Sequence, residues 1–459
     1  MFPGLASSES SVFKLRIKDL VNAVKQNYPD QKGVIVLFGG FENDRIRFRQ
    51  ESSFYYVTGI EEPGVVVVID LDGTSTVYLP NYAENRSKWI FCPIEPTQEC
   101  AKRLGVDAIE FLGDQSVGYQ CSIFFTQETY RSVLEKMTHL VAQKVKIFTL
   151  YPSNTPQYIE QRFILDRLQT FIPELTQNIV DISPIIAQLR RAKDMHEIEL
   201  LYKAVQITSM AHEAAAKAIT DGVPESDVQA SLEYVMTSSG ASIAFPSIVA
   251  SGKNGTILHY MQNSGVIKNG ELVVVDIGAS SDYYCADLTR TYPVSGTFSK
   301  RQRELYEIVL ATQEYIADIA KPGLWFSNKE HPEQSLHHLA KKFLAQKGYD
   351  EFFTHGIGHY LGIDVHDVGD YTKPLAEGDV ITIEPGLYIP NEGIGIRIED
   401  NYWIVKEGAV CLSEQLPKKP DDVENMVQCT FADDQQEDDS LESFDIDMAL
   451  DDSDPYIKH

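Results

Sequence analysis

The chain has few cysteines and no long apolar run, and both absences narrow the classes of protein to which it can belong. Its 459 residues include six cysteines, whose positions show neither the pairing of a disulfide framework nor the spacing of a zinc site. No apolar segment approaches the roughly 20 residues that a membrane helix requires. The N-terminus lacks a basic region followed by an apolar one, so no secretory signal is visible. We therefore expect a cytoplasmic protein with reduced thiols and no membrane partner.

Positive charge is also scarce. The chain has 40 lysines and arginines against 67 acidic residues, which gives a formal net charge of −27. Nucleic acids and anionic membranes repel such a surface, so neither is expected as a partner. Much of the excess lies in residues 431–459, which contain eleven acids, one lysine and little apolar content. Such a segment cannot bury enough surface to order itself, and we expect a disordered acidic tail.

The length allows two or three domains, each with its own core. Residues 1–172 alternate between helix-like and strand-like segments and have no recurring set of acids and histidines, which predicts a non-catalytic α/β domain. Within it, two strand-like runs, residues 65–71 and 74–80, flank an Asp-Gly pair and predict a hairpin. Residues 173–430 are expected to form a second domain of α+β class, which carries the functional residues.

The second domain is predicted to begin with a long amphipathic helix. Asp194 and Glu197 have the spacing of a capping box, in which each side chain accepts a backbone N–H at the helix start. Further along, residues 211–240 and 308–348 each follow the order helix, Gly/Pro turn, helix. This similarity suggests an internal duplication, with the functional site between two related halves.

Four carboxylates and one imidazole stand in apolar segments of the second domain, where an unpaired charge is costly to desolvate. They are Asp276, Asp287, His359, Glu384 and Glu399. For any one of these acids alone, a salt bridge at a strand end explains the position about as well as metal ligation does. Drawn together in one core, the five would repel one another unless cations lay between them. We therefore predict a two-metal site.

The chemistry of these donors limits the metal. Many oxygens with a single nitrogen favour a hard or borderline divalent ion, manganese first, with cobalt, zinc or iron as alternatives. A closed structural zinc site would use thiolates or several imidazoles instead. Strands joined by tight turns should place Asp276 beside Asp287 and Glu384 beside Glu399. Two ions held in this way can activate a hydroxide and polarise a carbonyl.

Further histidines fit around such a centre. Since only one nitrogen ligand is needed, His259, His355 and His366 are free to hydrogen-bond a substrate or to stabilise a tetrahedral oxyanion. Two others, His337 and His338, are interpreted as ordinary polar positions on a charged helix.

At these residues the chain resembles the aminopeptidase P and prolidase branch of the pita-bread metallopeptidases. The resemblance covers most of residues 40–425, and in the first domain it rests on residues 48–63. Four further blocks carry it: the surroundings of His259, residues 276–291, residues 355–367, and the pair 384–388 with 397–400. It implies a pita-bread fold, of the creatinase and aminopeptidase type, for the second domain.

The resemblance also implies roles for single residues. The five ligands would bind two metals, usually manganese, with Glu384 as proton acceptor and donor. His259 and His366 would contact the scissile carbonyl and its neighbouring backbone. His355 would line the site, and Arg397 would contact the product side. The implied reaction is hydrolysis of the bond between an N-terminal residue and a following proline by a metal-activated hydroxide, in a homo-oligomer such as a dimer or tetramer.

Several alternatives stay open. An Xaa-Pro dipeptidase, or prolidase, would share every ligand and differ in how the far end of the substrate is closed off. Only fourteen residues separate Glu384 from Glu399, where larger prolidases often carry an insertion, and this favours the aminopeptidase. Methionine aminopeptidases usually lack the first domain, and creatinase lacks the metals. Metal-free peptide- or histone-binding modules of the same fold have lost the ligands that this chain keeps.

Overall fold

The computed structural model describes residues 9–43, 45–82, 86–91, 94–116, 126–152 and 158–433. The helices are α1 (Glu9–Asn27), α2 (Ser52–Thr58), α3 (Gln98–Leu104), α4 (Arg131–Ala142), α5 (Ile159–Phe171), α6 (Leu175–Asn178), α7 (Ser183–Arg191), α8 (Met195–Ala218), α9 (Glu225–Ser238), α10 (Lys300–Ile319), α11 (Leu336–Lys347) and α12 (Pro420–Asp433). The strands of the first domain are β1 (Gly33–Phe38), β2 (Val66–Asp70), β3 (Ser75–Leu79), β4 (Ala108–Phe111), β5 (Lys146–Thr149) and β6 (Ile179–Asp181). Those of the second are β7 (Ser242–Ile243), β8 (Ile248–Ser251), β9 (Leu272–Ile277), β10 (Ala279–Ser281), β11 (Tyr284–Cys285), β12 (Leu288–Pro293), β13 (Val380–Ile383), β14 (Gly386–Ile389), β15 (Ile394–Arg397), β16 (Asp400–Val405) and β17 (Gly408–Cys411).

The expected acidic tail lies outside the described residues from residue 434 onward. The first three residues of the expected tail, 431–433, instead lie in the last turn of α12.

The first domain is built on a six-stranded mixed sheet in the order β4-β3-β2-β1-β5-β6. Alternate residues of β1 enter two different cores: Ile35 and Leu37 pack with α1 and α2, whereas Val34 and Val36 pack with α4 and α5. Because helices cover both faces, the central strands are continuously apolar. The predicted hairpin is confirmed as β2 and β3, and Gly73 at its turn has a φ of 100° that favours glycine.

This sheet extends further along the chain than expected. Strand β6 pairs in parallel with β5, so the sheet reaches Asp181 rather than ending before residue 172. The apolar pattern around residue 172 belongs to α5 and its C-terminal residue Ile172, which is buried against the sheet.

The second domain contains the predicted helix pairs, α8 with α9 and α10 with α11, each packed together. The capping box at the start of α8 is confirmed by reciprocal bonds of 2.9 and 3.1 Å between Asp194 and Glu197. Two three-stranded antiparallel sheets, β12-β9-β8 and β13-β16-β17, lie beside the β14-β15 hairpin. The segment between Asp276 and Asp287 forms a hairpin of its own, β10-β11, instead of a simple turn.

An arginine buried behind these sheets ties them to the chain's C-terminal part. Arg290 on β12 donates to the carboxylate of Asp400 at 2.7 Å and to the backbone carbonyls of Glu399 and Pro417, each also at 2.7 Å. Burial opposes ionisation of Asp400, but the charges of Arg290 and Lys418 outweigh it and lower the pKa of Asp400 to about 2. The ion pair is therefore fully formed at neutral pH.

Replacing Arg290 with methionine is expected to destabilise the fold by about 3–5 kcal/mol, because it leaves a buried carboxylate without its main partner. Chemical denaturation measures the change in the free energy of unfolding. The matched control is Arg301→Met, which removes an ion pair to Glu392 between partly exposed side chains and should cost no more than about 1 kcal/mol. A loss of no more than about 1 kcal/mol in Arg290→Met, as small as in the control, would show that the Arg290 network contributes little to the stability of the domain.

Candidate metal centre

The five predicted ligands lie together in one pocket of the second domain. Asp276 is on β9, Asp287 immediately precedes β12, Glu384 follows β13, and Glu399 lies between β15 and β16. The register Ile383↔Asp400 sets Glu384 opposite Glu399. A bridge between Thr289 and Glu399 joins the two sheets, and a second bridge brings the loop that carries His359 against β13.

The distances within the pocket suit shared cations. His359 Nε2 is 3.3 Å from Asp287 Oδ2 and 3.6 Å from Glu384 Oε1. One ligand atom each from Asp287, His359 and Glu399 lies within 4.8 Å of the others. Asp276 Oδ1, Asp287 Oδ1 and Glu399 Oε1 are buried without a hydrogen-bond partner. Unsatisfied buried oxygens are costly, so this donor set fits divalent ions well.

Neighbouring groups orient the predicted ligands. His359 Nδ1 donates to the backbone carbonyl of Tyr360 at 3.0 Å, which leaves the Nε2 lone pair facing the carboxylates. Thr289 donates to Glu399 Oε2 at 2.7 Å, and Thr382 donates to Glu384 Oε1 at 3.4 Å. Neither threonine was predicted from the sequence. Each lies two residues from a ligand, Thr289 after Asp287 and Thr382 before Glu384, and this spacing places a side chain on the same strand face.

The acids of the pocket perturb one another. Burial, and then the charges of Asp276 and Glu384, raise the pKa of Asp287 well above its usual value. Burial, and then Asp287, Glu384 and Asp276, do the same for the pKa of Glu399. Burial also raises the pKa of Glu384, although His359 and Arg397 oppose the change. Cations between these groups would reverse this effect, because they favour the ionised carboxylates.

One side of the pocket is formed by a hydrogen-bonded row of side chains. Arg397 donates to Asp276 Oδ2 and, at 2.8 Å, to the hydroxyl of Tyr388. That hydroxyl is 2.9 Å from His355 Nε2, and His355 Nδ1 is 3.6 Å from Glu384 Oε2. Burial, and then the charge of Arg397, lower the pKa of His355 to about 3. His355 is therefore neutral at physiological pH.

The remaining predicted histidines lie around this centre. The ring of His366 is 4.2 Å from that of His359. His259 is exposed, and its charge contributes to the lowered pKa of both His355 and His366, so it lies near both. Burial is the larger cause in each case.

His337 lies on α11, as expected, but it is half-buried instead of fully exposed to solvent. Its ring packs 5.5 Å from that of Phe353 and lines a cavity of about 550 Å³ together with His355. The side chain turns inward because α11 packs this face against the loop that leads to His355. His338 instead forms a hydrogen bond of 2.7 Å between its Nδ1 atom and the hydroxyl of Ser335.

Comparisons with known proteins match both domains. Residues 13–117 match the aminopeptidase P N-terminal domain, and residues 199–406 match metallopeptidase family M24. The Xaa-Pro aminopeptidase of Haemophilus influenzae is 31% identical over 409 residues, which cover 83% of this chain and 88% of the relative. That of Escherichia coli is 30% identical over 413 residues, with 83% and 89% covered. An Xaa-Pro dipeptidase of Pyrococcus furiosus is 40% identical over 238 residues, which cover 51% of this chain and 66% of the relative.

Solved structures of aminopeptidase P are similar to this chain over most of its length. Aminopeptidase P from E. coli with the inhibitor Pro-Leu superposes with a TM-score of 0.75 at 27% identity, covering 92% of this chain and 99% of that one. The zinc-substituted E. coli enzyme in complex with product gives a TM-score of 0.73 at the same identity and coverage.

Among the helices that the structure describes, none is both long enough and apolar enough to cross a membrane.

Proposed function

This chain belongs to metallopeptidase family M24, in the aminopeptidase P branch, and we propose from that premise that it hydrolyses the bond between an N-terminal residue and a following proline. The observation that carries the proposal is the convergence of the five predicted ligands, three of which have an unsatisfied buried carboxylate oxygen, in a chain that matches Xaa-Pro aminopeptidases across both domains.

In this proposal Asp276, Asp287, His359, Glu384 and Glu399 hold two divalent cations. When bound, the cations polarise the scissile carbonyl and lower the pKa of a water. The oxygen-rich donor set supports Mn²⁺, with Co²⁺, Zn²⁺ or Fe²⁺ as alternatives.

The chain's own residues then supply proton transfer and orientation. Glu384, whose pKa is raised by burial, accepts a proton from the attacking water and delivers it to the leaving proline nitrogen. His366 and His259 contact the scissile carbonyl, and His355 lines the site as a neutral ring. Asp276 faces the substrate's ammonium group, which suits a cluster of acids.

Arg397 has two tasks in this arrangement. Its bond to Asp276 balances part of the negative charge of the pocket, and we place it on the product side, beside the hydroxyl of Tyr388. A proline amide has no N–H to donate, so a site that holds the amine and the ring loses no contact to it.

The alternative function is that of an Xaa-Pro dipeptidase. The dipeptidase relative has the higher identity, but its match covers only about half of this chain, whereas the aminopeptidases match 83%. We expect the purified protein to cleave Xaa-Pro-Yaa and longer peptides with a higher kcat/KM than Xaa-Pro dipeptides, and to leave Xaa-Ala-Yaa controls intact. Turnover of dipeptides alone would assign it as a prolidase.

We also propose a cytoplasmic location and a homo-oligomer, either a dimer or a tetramer. Cys100 and Cys285 are free buried thiols, which suits a reducing compartment. On the first domain, Trp89 and Phe91 are 65% and 87% exposed, which suits a contact between copies. Light scattering of the purified protein decides the oligomeric state, and a monomer at micromolar concentration would refute this part.

A further inference from the structure

The position of His366 depends on the backbone that carries it. In the part of the chain that the structure describes, no hydrogen bond reaches its imidazole, and its ring lies 4.2 Å from that of His359. The residue is also partly exposed to solvent. Its placement over the metal centre is therefore set by the flanking residues 363–367, which we call the His366 segment.

Two residues of the first domain hydrogen-bond to adjacent residues of this segment. Arg49 donates to the backbone carbonyl of Ile363 at 2.9 Å, and Ser52 donates to Asp364 Oδ1 at 2.6 Å. Arg49 is itself fixed, since it donates to the carbonyl of Tyr283 at 2.9 Å and lies 4.5 Å over the ring of that residue. Ser52 is the first residue of α2, and Arg49 lies shortly before this helix, whose first turn is capped by Glu51.

The other side of the segment is held by ion pairs whose arginine and lysine are buried. Arg190 on α7 donates to Asp364 at 2.8 Å, to Asp367 at 2.6 Å and to the hydroxyl of Ser53 at 3.0 Å. Lys193 donates to Asp367 at 2.8 Å. The two aspartates thus lie on either side of His366 in the chain, and Asp364 is shared between α7 and the first domain. Such charge-assisted bonds hold a fixed geometry.

A glycine makes this close packing possible. At Gly362 a Cβ atom would lie 2.1 Å from Asp367 Oδ2 and 2.9 Å from the side chain of Lys193. The backbone next to the His366 segment is therefore pressed directly against the ion pair.

We propose that Arg49 and Ser52 are positioning residues for His366, so that the first domain takes part in the reaction. The proposal rests on the proposed function, in which His366 contacts the scissile carbonyl. It gives a physical role to residues 48–63, the part of the first domain that resembles the aminopeptidase P branch and contains no residue of the metal centre. Without these hydrogen bonds, the imidazole of His366 keeps its chemical properties but is no longer held in one position.

The test is Ser52→Ala in the full-length, metal-loaded protein. We expect kcat for an Xaa-Pro-Yaa peptide to fall about 10-fold to 100-fold, the scale of an ångström-sized misplacement, with metal content unchanged. The matched control is Ser75→Ala, which removes the same kind of bond, to Asp107 at 3.2 Å, inside the first domain. This control should keep the full kcat.

A double-mutant cycle separates positioning from a general structural effect. If Ser52 acts through His366, Ser52→Ala should lower kcat no further in a His366→Ala background. An undiminished effect in that background, or full activity of Ser52→Ala alone, would overturn the proposal.

A spectroscopic measurement decides the question even if the protein does not cleave Xaa-Pro peptides, a result that would refute the proposed function. In protein labelled at histidine, the His366 ring resonances, identified by their loss in His366→Ala, should shift in Ser52→Ala and stay in place in Ser75→Ala. Unchanged His366 resonances in Ser52→Ala would show that the first domain does not position this ring.

Discussion

Replacing Glu384 with alanine is expected to abolish peptide hydrolysis and to leave the chain folded. The change removes a metal ligand together with the proposed proton acceptor and donor, and the proton-transfer role alone contributes about 100-fold to 10,000-fold. The fold should survive because the carboxylate makes one long hydrogen bond of 3.4 Å, to Thr382, in a pocket where Asp276 repels it. Steady-state kinetics with an Xaa-Pro-Yaa peptide and a thermal melt measure the two effects.

The control for this variant is Glu377→Ala. Glu377 is an exposed acid a few residues before β13, so its removal tests whether any loss of charge near this strand lowers activity. Glu377→Ala should retain full activity. If Glu384→Ala kept more than about a tenth of the wild-type kcat, Glu384 could not be the group that transfers the proton.

The second large effect is expected for Glu399→Ala. Glu399 is 1% exposed, one of its oxygens accepts from Thr289 at 2.7 Å, and the other has no partner. Removing it should release at least one cation and lower kcat/KM by more than about 100-fold, the upper range for groups that only orient a ligand. Metal analysis and kinetics on the same preparation measure both effects.

A graded companion is Thr289→Val, which keeps the Glu399 carboxylate but removes the hydrogen bond that orients it. The expected loss in metal affinity or activity is about 10-fold to 100-fold, smaller than for Glu399→Ala. A Glu399→Ala protein that still carries its full metal complement would exclude Glu399 as a ligand.

Much of the second domain's chemistry could be predicted because charges stand out in apolar strands. Asp276 and Glu384 follow runs of β-branched residues, and burial there needs a partner. Local features, such as the hairpin at Gly73 and the capping box at Asp194, were predictable for a different reason. Each is determined by a few neighbouring residues.

The parts that were missed depend on contacts between distant residues. The bridge from Thr289 to Glu399 and the bond from Ser52 to Asp364 join residues 110 and 312 positions apart, respectively, and no local pattern encodes such pairs. Strand β6 was missed because it has only three residues and is placed by pairing with β5. The direction of His337 was missed because it depends on how α11 packs against Phe353.

The pairing of two cations with this cluster of acids is the claim on which the mechanism depends. Crystals of the protein grown with excess Mn²⁺ and measured at the manganese absorption edge test it most directly. We predict two anomalous peaks per chain, roughly 3.5–4 Å apart, between the carboxylates of Asp287 and Glu399 and beside His359 Nε2. A pocket with no anomalous peak under these conditions would contradict the account.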